Sequence, residues 1–222
     1  MRSLPTLLFA LCATACSTPP ATPLSRFSAP LGDAVVPADV RYRVAAPDLL
    51  VLRAPGVRQL DKLLARVAPD GRISAGPLGD CPAAGRTPAA IAADLTARLR
   101  ALAPDTALPK NATVDVAVLE YASQSFHVAA PDAPDPGRKP FTGADTVISA
   151  LIDAGYGHDT PPWPRHVALS RAPRDGRAAA TAIVDVRHML RTGDLRENYL
   201  LEPGDVVEVP PDRAPASDKP TD

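Results

Sequence analysis

Apolar residues recur along this chain with two periods, and the changes of period mark its elements. Over Thr113–Tyr121, Val114, Val116 and Val118 alternate with Asp115 and Ala117, the period of two of a strand with one buried face. Ile91, Leu95, Leu99 and Leu102 instead fall four, four and three apart, which puts them on one side of a helix. Thr87-Pro88 opens that helix, with a hydroxyl at the N-cap and proline at the first helical position, and Pro104 lies beyond its end. A second helix is expected over Thr142–Gly155, carrying Val147, Ile148, Leu151 and Ile152 and closed by Gly155. Short strands are expected at Tyr42–Val44 and Leu49–Leu52 around a Pro-Asp turn, then at Ser125–Ala129, His166–Ser170, Thr181–Val186 and Val206–Val209. Asp70-Gly71 reads as a hairpin turn joining Leu64–Ala68 to Arg72–Ala75, because glycine takes positive φ freely. Val57–Leu64 fits either a strand or a helical turn. Strands mixed with single helices give an α+β chain compatible with a β-grasp.

The N-terminal segment follows neither period. Arg2 precedes an apolar run from Leu4 to Ala15 that is too short to span a bilayer, the pattern of a secretory signal over residues 1–15. Ala13-Thr14-Ala15-Cys16 admits two readings: a lipobox with Cys16 as the acylated residue, or an ordinary cleavage site after Ala15. Ala13 stands where lipoboxes prefer leucine, yet a cysteine at that step favours lipid attachment at Cys16. The mature chain is then anchored to a membrane and does not span it. Cys81 is the thiol left over, and no basic or histidine neighbour in sequence argues for a reactive thiolate. If Cys16 is not acylated, it is free to pair with Cys81.

Composition narrows the picture further. Lys plus Arg number 24 against 25 Asp plus Glu, without clustering, so the chain carries no electrostatic footprint for nucleic acid. Sixteen of the 27 prolines concentrate in Ser17–Pro37, Pro131–Pro140, Pro161–Pro164 and Pro210–Pro220. Proline-rich stretches are stiff and cannot donate to ladders, so these read as a tether, two loops and a tail.

Chemistry is scarce. His127, His158, His166 and His188 show no metal-binding spacing, and helix-end polarity accounts for Asp153, His158 and Asp159 as well as a metal does. No phosphate-cradling loop, no nucleophile elbow and no cofactor motif is present. Asp48, Asp70 and Asp205 stand in turns, where a carboxylate caps backbone N–H groups. Trp163, in Pro161-Pro162-Trp163-Pro164, is the candidate ligand-binding residue, since an indole face stacks on sugar rings. Packing over the helix end near Tyr156 is the other use for that ring.

Tyr42 and Asp48 keep the spacing of a Tyr-x-Ile-x-Pro-Gly-Asp signature. Val67–Ile73, Pro77–Gly79, Gly85–Thr87 and the strand running into Tyr121-Ala122-Ser123 continue the same pattern. On these residues the chain resembles the bacterial polysaccharide-export outer-membrane lipoproteins. From Ser125, the helix over Gly143–Gly155, the strand Val167–Arg171 and the turn Pro203-Gly204-Asp205 resemble that family's soluble-ligand-binding β-grasp domain. The resemblance implies two small domains: a mixed α/β polysaccharide-export domain over 40–122 and one β-grasp domain over 123–210. A lipid-anchored tether over 16–39 precedes them and a tail over 211–222 follows. It departs at Ala46-Pro47-Asp48, where proline replaces glycine. It departs again at the C-terminus, where the proline-broken segment is no amphipathic membrane helix, so neither a barrel nor a membrane-crossing ring of helices is expected.

The function implied is a non-catalytic, periplasm-facing component of exopolysaccharide or capsule export, contributing to a translocation ring or gate at the outer membrane. The implied partners are copies of itself, the exported polysaccharide, an inner-membrane chain-length regulator or copolymerase and, for want of the helix, a separate outer-membrane channel. The alternative is a stand-alone lipoprotein that binds a soluble glycan or small ligand through its β-grasp domain.

Overall fold

The structure is a computed structural model and describes residues 41–102, 111–157, 162–174 and 176–211. The expected signal, Cys16, the tether, the tail beyond Pro211 and the pair His158-Asp159 lie outside the described residues.

The first half is built on a three-stranded antiparallel sheet ordered β2-β1-β5, with β1 at Leu49–Arg53, β2 at Leu63–Arg66 and β5 at Asp115–Glu120. Leu50 and Leu52 of the central strand are fully buried, and they meet Val116 and Val118 across the ladder. A small ladder pairs β3 (Arg72–Ser74) with β4 (Asp80–Pro82) around a 3-10 turn at Gly76–Leu78. Helix α1 (Pro88–Leu102) turns Ile91, Leu95 and Leu99 into the core and is capped at its start by Thr87 Oγ1, which accepts from Ala90 N at 3.2 Å. Burying three such side chains favours the fold by about 1.5–3 kcal/mol each. Leu102, expected on the same face, lies 49% exposed at the helix end.

The second half forms one five-stranded sheet ordered β7-β6-β10-β8-β9. Its strands are β6 (Ser125–Ala129), β7 (Gly137–Pro140), β8 (His166–Arg171), β9 (Ala180–Asp185) and β10 (Val206–Glu208). Only the central pair, β6 with β10, is parallel. Two hairpins flanking a parallel pair made of the first and last strands is the order of a β-grasp. Helix α2 (Val147–Asp153) follows the first hairpin, with Thr146 and Ser149 forming a reciprocal cap at its start. Val147, Ala150 and Leu151 are its buried face, whereas Ile152 is 50% exposed.

Several expectations are corrected. Tyr42–Val44 forms no strand, although Tyr42 and Val44 are buried. Val57–Leu64 is neither one strand nor a helix: turns run to Lys62 and β2 begins at Leu63. Asp70-Gly71 does make the turn, with Gly71 at φ +80° and its N–H donating to Ala68 O, but β2 pairs with β1 and β3 with β4. The proline-rich stretch ending at Pro140 contains β7, an edge strand, where a missing N–H is tolerated. Val186 starts a helix, α3 (Val186–Thr192), with Asp185 as N-cap and Gly193 in the left-handed region at its end.

Candidate functional site

The Tyr42–Asp48 turn supplies a site that is wholly structural. Asp48 is fully buried, and five donors converge on its carboxylate. Tyr42 Oη donates to Oδ2 at 2.7 Å, Ala45 N at 3.0 Å and Ser123 Oγ at 2.9 Å. Ala122 N and Ser123 N reach Oδ1 at 3.0 and 2.8 Å. Burial first, and then the hydrogen bond to Asp48, pushes the Tyr42 hydroxyl well above the usual phenol range, so it stays a donor. The carboxylate therefore ties the turn before β1 to the Tyr121–Gln124 segment linking the two sheets. Gln124 Nε2 donates to Arg43 O across the same seam.

Arg41 extends the seam into the second half. Its guanidinium donates to Gly143 O and Leu201 O, both at 2.7 Å, and lies 6.0 Å from the Phe141 ring centre. Phe141 also stacks near Tyr42, with centroids 6.3 Å apart. Asp145 folds the Thr142–Asp145 loop by accepting from Thr142 N, Thr142 Oγ1 and Gly143 N.

The turn before β10, Pro203-Gly204-Asp205, is resolved differently. Asp205 is 1% exposed and receives both Nε and Nη2 of Arg171, at 2.9 and 2.8 Å, with Glu202 N at 2.8 Å. Arg171 also reaches Glu202 Oε1 and Leu200 O. A bidentate guanidinium on a buried carboxylate fixes the end of β8 against the start of β10. Asp70, on the surface, accepts from Arg72 N at 3.0 Å within its own turn. All three aspartates hold backbone in place.

Cys81 is buried, with its thiol against Asp94 Oδ2 at 3.2 Å. Arg86 and Arg98 both pair with Asp94. Burial, followed by the hydrogen bond to Asp94 and that carboxylate's charge, raises the thiol above its ordinary range, which is the opposite of an activated thiolate. His127 and His188 stand exposed and apart, and His166 Nε2 lies 3.5 Å from Asp185 Oδ2. Among the described residues no group of three or more His, Cys, Asp or Glu is arranged to hold a metal ion, and no helix is long and apolar enough to cross a membrane.

Trp163 packs beside Tyr156. Its ring lies near-parallel to that of buried Tyr156, at 28° with centroids 6.4 Å apart, and it remains partly accessible. Its accessible side borders a cleft of about 170 Å³ with Asp132, Arg165, His166 and Pro210.

Sequence reasoning missed Arg41 and Arg171 as organising residues. Ser123 was within reach, since the Tyr121-x-Ser123 ending places a hydroxyl there; the two arginines carry no local signal, because their partners lie 102 and 34 residues away. The buried Tyr42–Asp48 turn, the Asp-Gly turn and α1 all fall within residues 36–119, which match the family model of polysaccharide biosynthesis/export proteins. The chain thus carries the polysaccharide biosynthesis/export domain of the family it resembles, and with it a role in polysaccharide export or biosynthesis.

Proposed function

We propose that this chain is a non-catalytic, periplasm-facing lipoprotein of an exopolysaccharide or capsule export system, anchored in the outer membrane through Cys16 and contributing to a translocation ring or gate. The observation that carries this reading is the polysaccharide-export domain joined, through the Asp48 seam, to a sheet of β-grasp order, which this reading takes as the soluble-ligand-binding domain. The seam supports a rigid two-part subunit, because an ordered pair of domains can present fixed edges to neighbouring copies.

The exposed edge strands β2, β5, β7 and β9 are the surfaces on which copies would meet. Leu64 on β2, Leu119 on β5 and Ile183 on β9 are more than half exposed there, which favours contact with other subunits. An inner-membrane chain-length regulator and a separate outer-membrane channel complete the assembly.

Native mass spectrometry of the full-length protein extracted from membranes in detergent tests it. A closed multiple of one acylated subunit is the expected result. An unacylated chain removes the anchor, and an acylated monomer at high concentration removes the ring in favour of a stand-alone ligand-binding lipoprotein.

A further inference from the structure

We propose that the cleft bordered by Trp163, Asp132, Arg165, His166 and Pro210 is a subsite for one acidic pyranose unit, a uronate, of a glycan chain; the inference rests on the export reading above. Four observations on different elements converge on it.

The first is a braced aromatic platform. Tyr156 is fully buried beneath the indole, and its hydroxyl donates to Asp132 Oδ1 at 2.8 Å. Gly157, at φ +94°, brings the backbone against the ring edge so closely that a Cβ there would stand 2.8 Å from Trp163 Cζ2. Pro162 and Pro164 fix φ on both sides of the tryptophan. The ring is held before any ligand arrives, which removes most of the ordering cost of stacking.

The second is size. At about 170 Å³ the cleft lies well below the ~300–1,000 Å³ typical of sites that enclose a whole small molecule. It suits one ring of a longer chain whose other units remain outside.

The third is charge. The Arg165 guanidinium forms no hydrogen bond or ion pair among the described residues, and its charge acts on Asp185 only through space. A planar fork of donors left open at the rim of a cleft matches a carboxylate in two-point fashion. His166 lines the same cleft with its side chain 42% exposed, and its Nε2 stands 3.5 Å from Asp185 Oδ2.

The fourth is an acceptor. Asp132 commits Oδ1 to Tyr156, which leaves Oδ2 to accept a sugar hydroxyl. The apolar C–H face of the ring then lies on the indole, its carboxylate on Arg165 and a hydroxyl on Asp132.

Trp163 is the single tryptophan of the chain, so emission excited at the red edge, where the four tyrosines do not absorb, reports on this cleft. The full-length protein is titrated with tetragalacturonate and, separately, with cellotetraose. A saturable emission change is expected with tetragalacturonate, weakened by about tenfold in Arg165→Ala, which removes a side chain with no hydrogen bond or ion pair among the described residues. Cellotetraose is expected to bind more weakly and to be indifferent to Arg165→Ala. Trp163→Ala, followed by calorimetry and with its fold checked by circular dichroism, is expected to lose tetragalacturonate binding altogether.

A flat titration, or a tetragalacturonate curve unmoved by Arg165→Ala, overturns the subsite. Preference for cellotetraose overturns its acidic specificity. If a protein that assembles in native mass spectrometry gives a flat titration, the subsite falls and the export reading stands. If a monomer binds tetragalacturonate through Arg165, the subsite stands and the ring falls.

Discussion

The turns Ala46-Pro47-Asp48 and Pro203-Gly204-Asp205 both end on an aspartate and solve the same problem by different means. Asp48 and Asp205 are both buried carboxylates, and each must be satisfied because an unpaired buried charge is costly. Around Asp48 the answer is a shell of neutral donors, two hydroxyls and three amides, three of them from Ala122 and Ser123 in the segment between the sheets. Around Asp205 it is a cation, Arg171, drawn from the neighbouring strand, with one amide of its own turn. The first arrangement joins two halves of the molecule; the second trims one sheet. A turn motif therefore specifies a buried acceptor, while the donors that reach it decide what the turn holds together.

The largest effect is expected from Asp48→Ala, which strands several buried donors at once. It should cost about 3–4 kcal/mol in chemical denaturation, and loosening of the seam should appear as faster amide exchange at Ala122 and Ser123. Asp205→Ala should cost less, about 2–3 kcal/mol, because Arg171 retains Glu202 Oε1 at 2.9 Å. A larger loss for Asp205→Ala than for Asp48→Ala would break the contrast between a seam and a trim.

Tyr42→Phe sharpens it. One of five donors is removed, and a loss of about 1 kcal/mol is expected as a lower denaturation midpoint with an unchanged slope.

Asp94 is a carboxylate outside both turns, and it provides a solvent-open control. Hydrogen bonds from Cys81, then from Arg86 and Arg98, hold its folded pKa below the ordinary carboxylate range. Its contribution is therefore present above the unfolded value of about 4 and is lost as pH falls through the lower folded value. The measurement is stability against pH for the protein and for Asp94→Asn. The two curves should draw together in acid, and a constant gap down to the lowest pH would contradict the assignment.

Cys81 gives the smallest effect: the native thiol should ignore iodoacetamide and react only once denaturant is added, because it is fully buried.

Much of this architecture is legible in local pattern. The Ile91, Leu95, Leu99 spacing, the Thr87-Pro88 start and the valine alternation before Glu120 each encode their element within one or two turns of chain, and each is found where the pattern puts it. β7 and α3 were hidden for opposite reasons. Prolines masked a strand that lies at a sheet edge, where a missing N–H does no harm. In α3, Val186 continues the alternation of β9, and only the Asp185 cap onto His188 N and the Gly193 stop break the pattern.

What the sequence determined by itself is therefore α1, α2 and most of the strands, the turn aspartates and the resemblance to an export family, together with the expectation of a signal around Cys16. Those depend on periods and motifs a few residues long. Tertiary structure alone decided that β2 and β3 part into different ladders, that Asp48 is shared between two halves, and that Trp163 meets Tyr156 and Asp132 around a cleft. Each of these joins residues distant in the chain, and such partners are chosen by packing and by the cost of leaving a buried group unpaired.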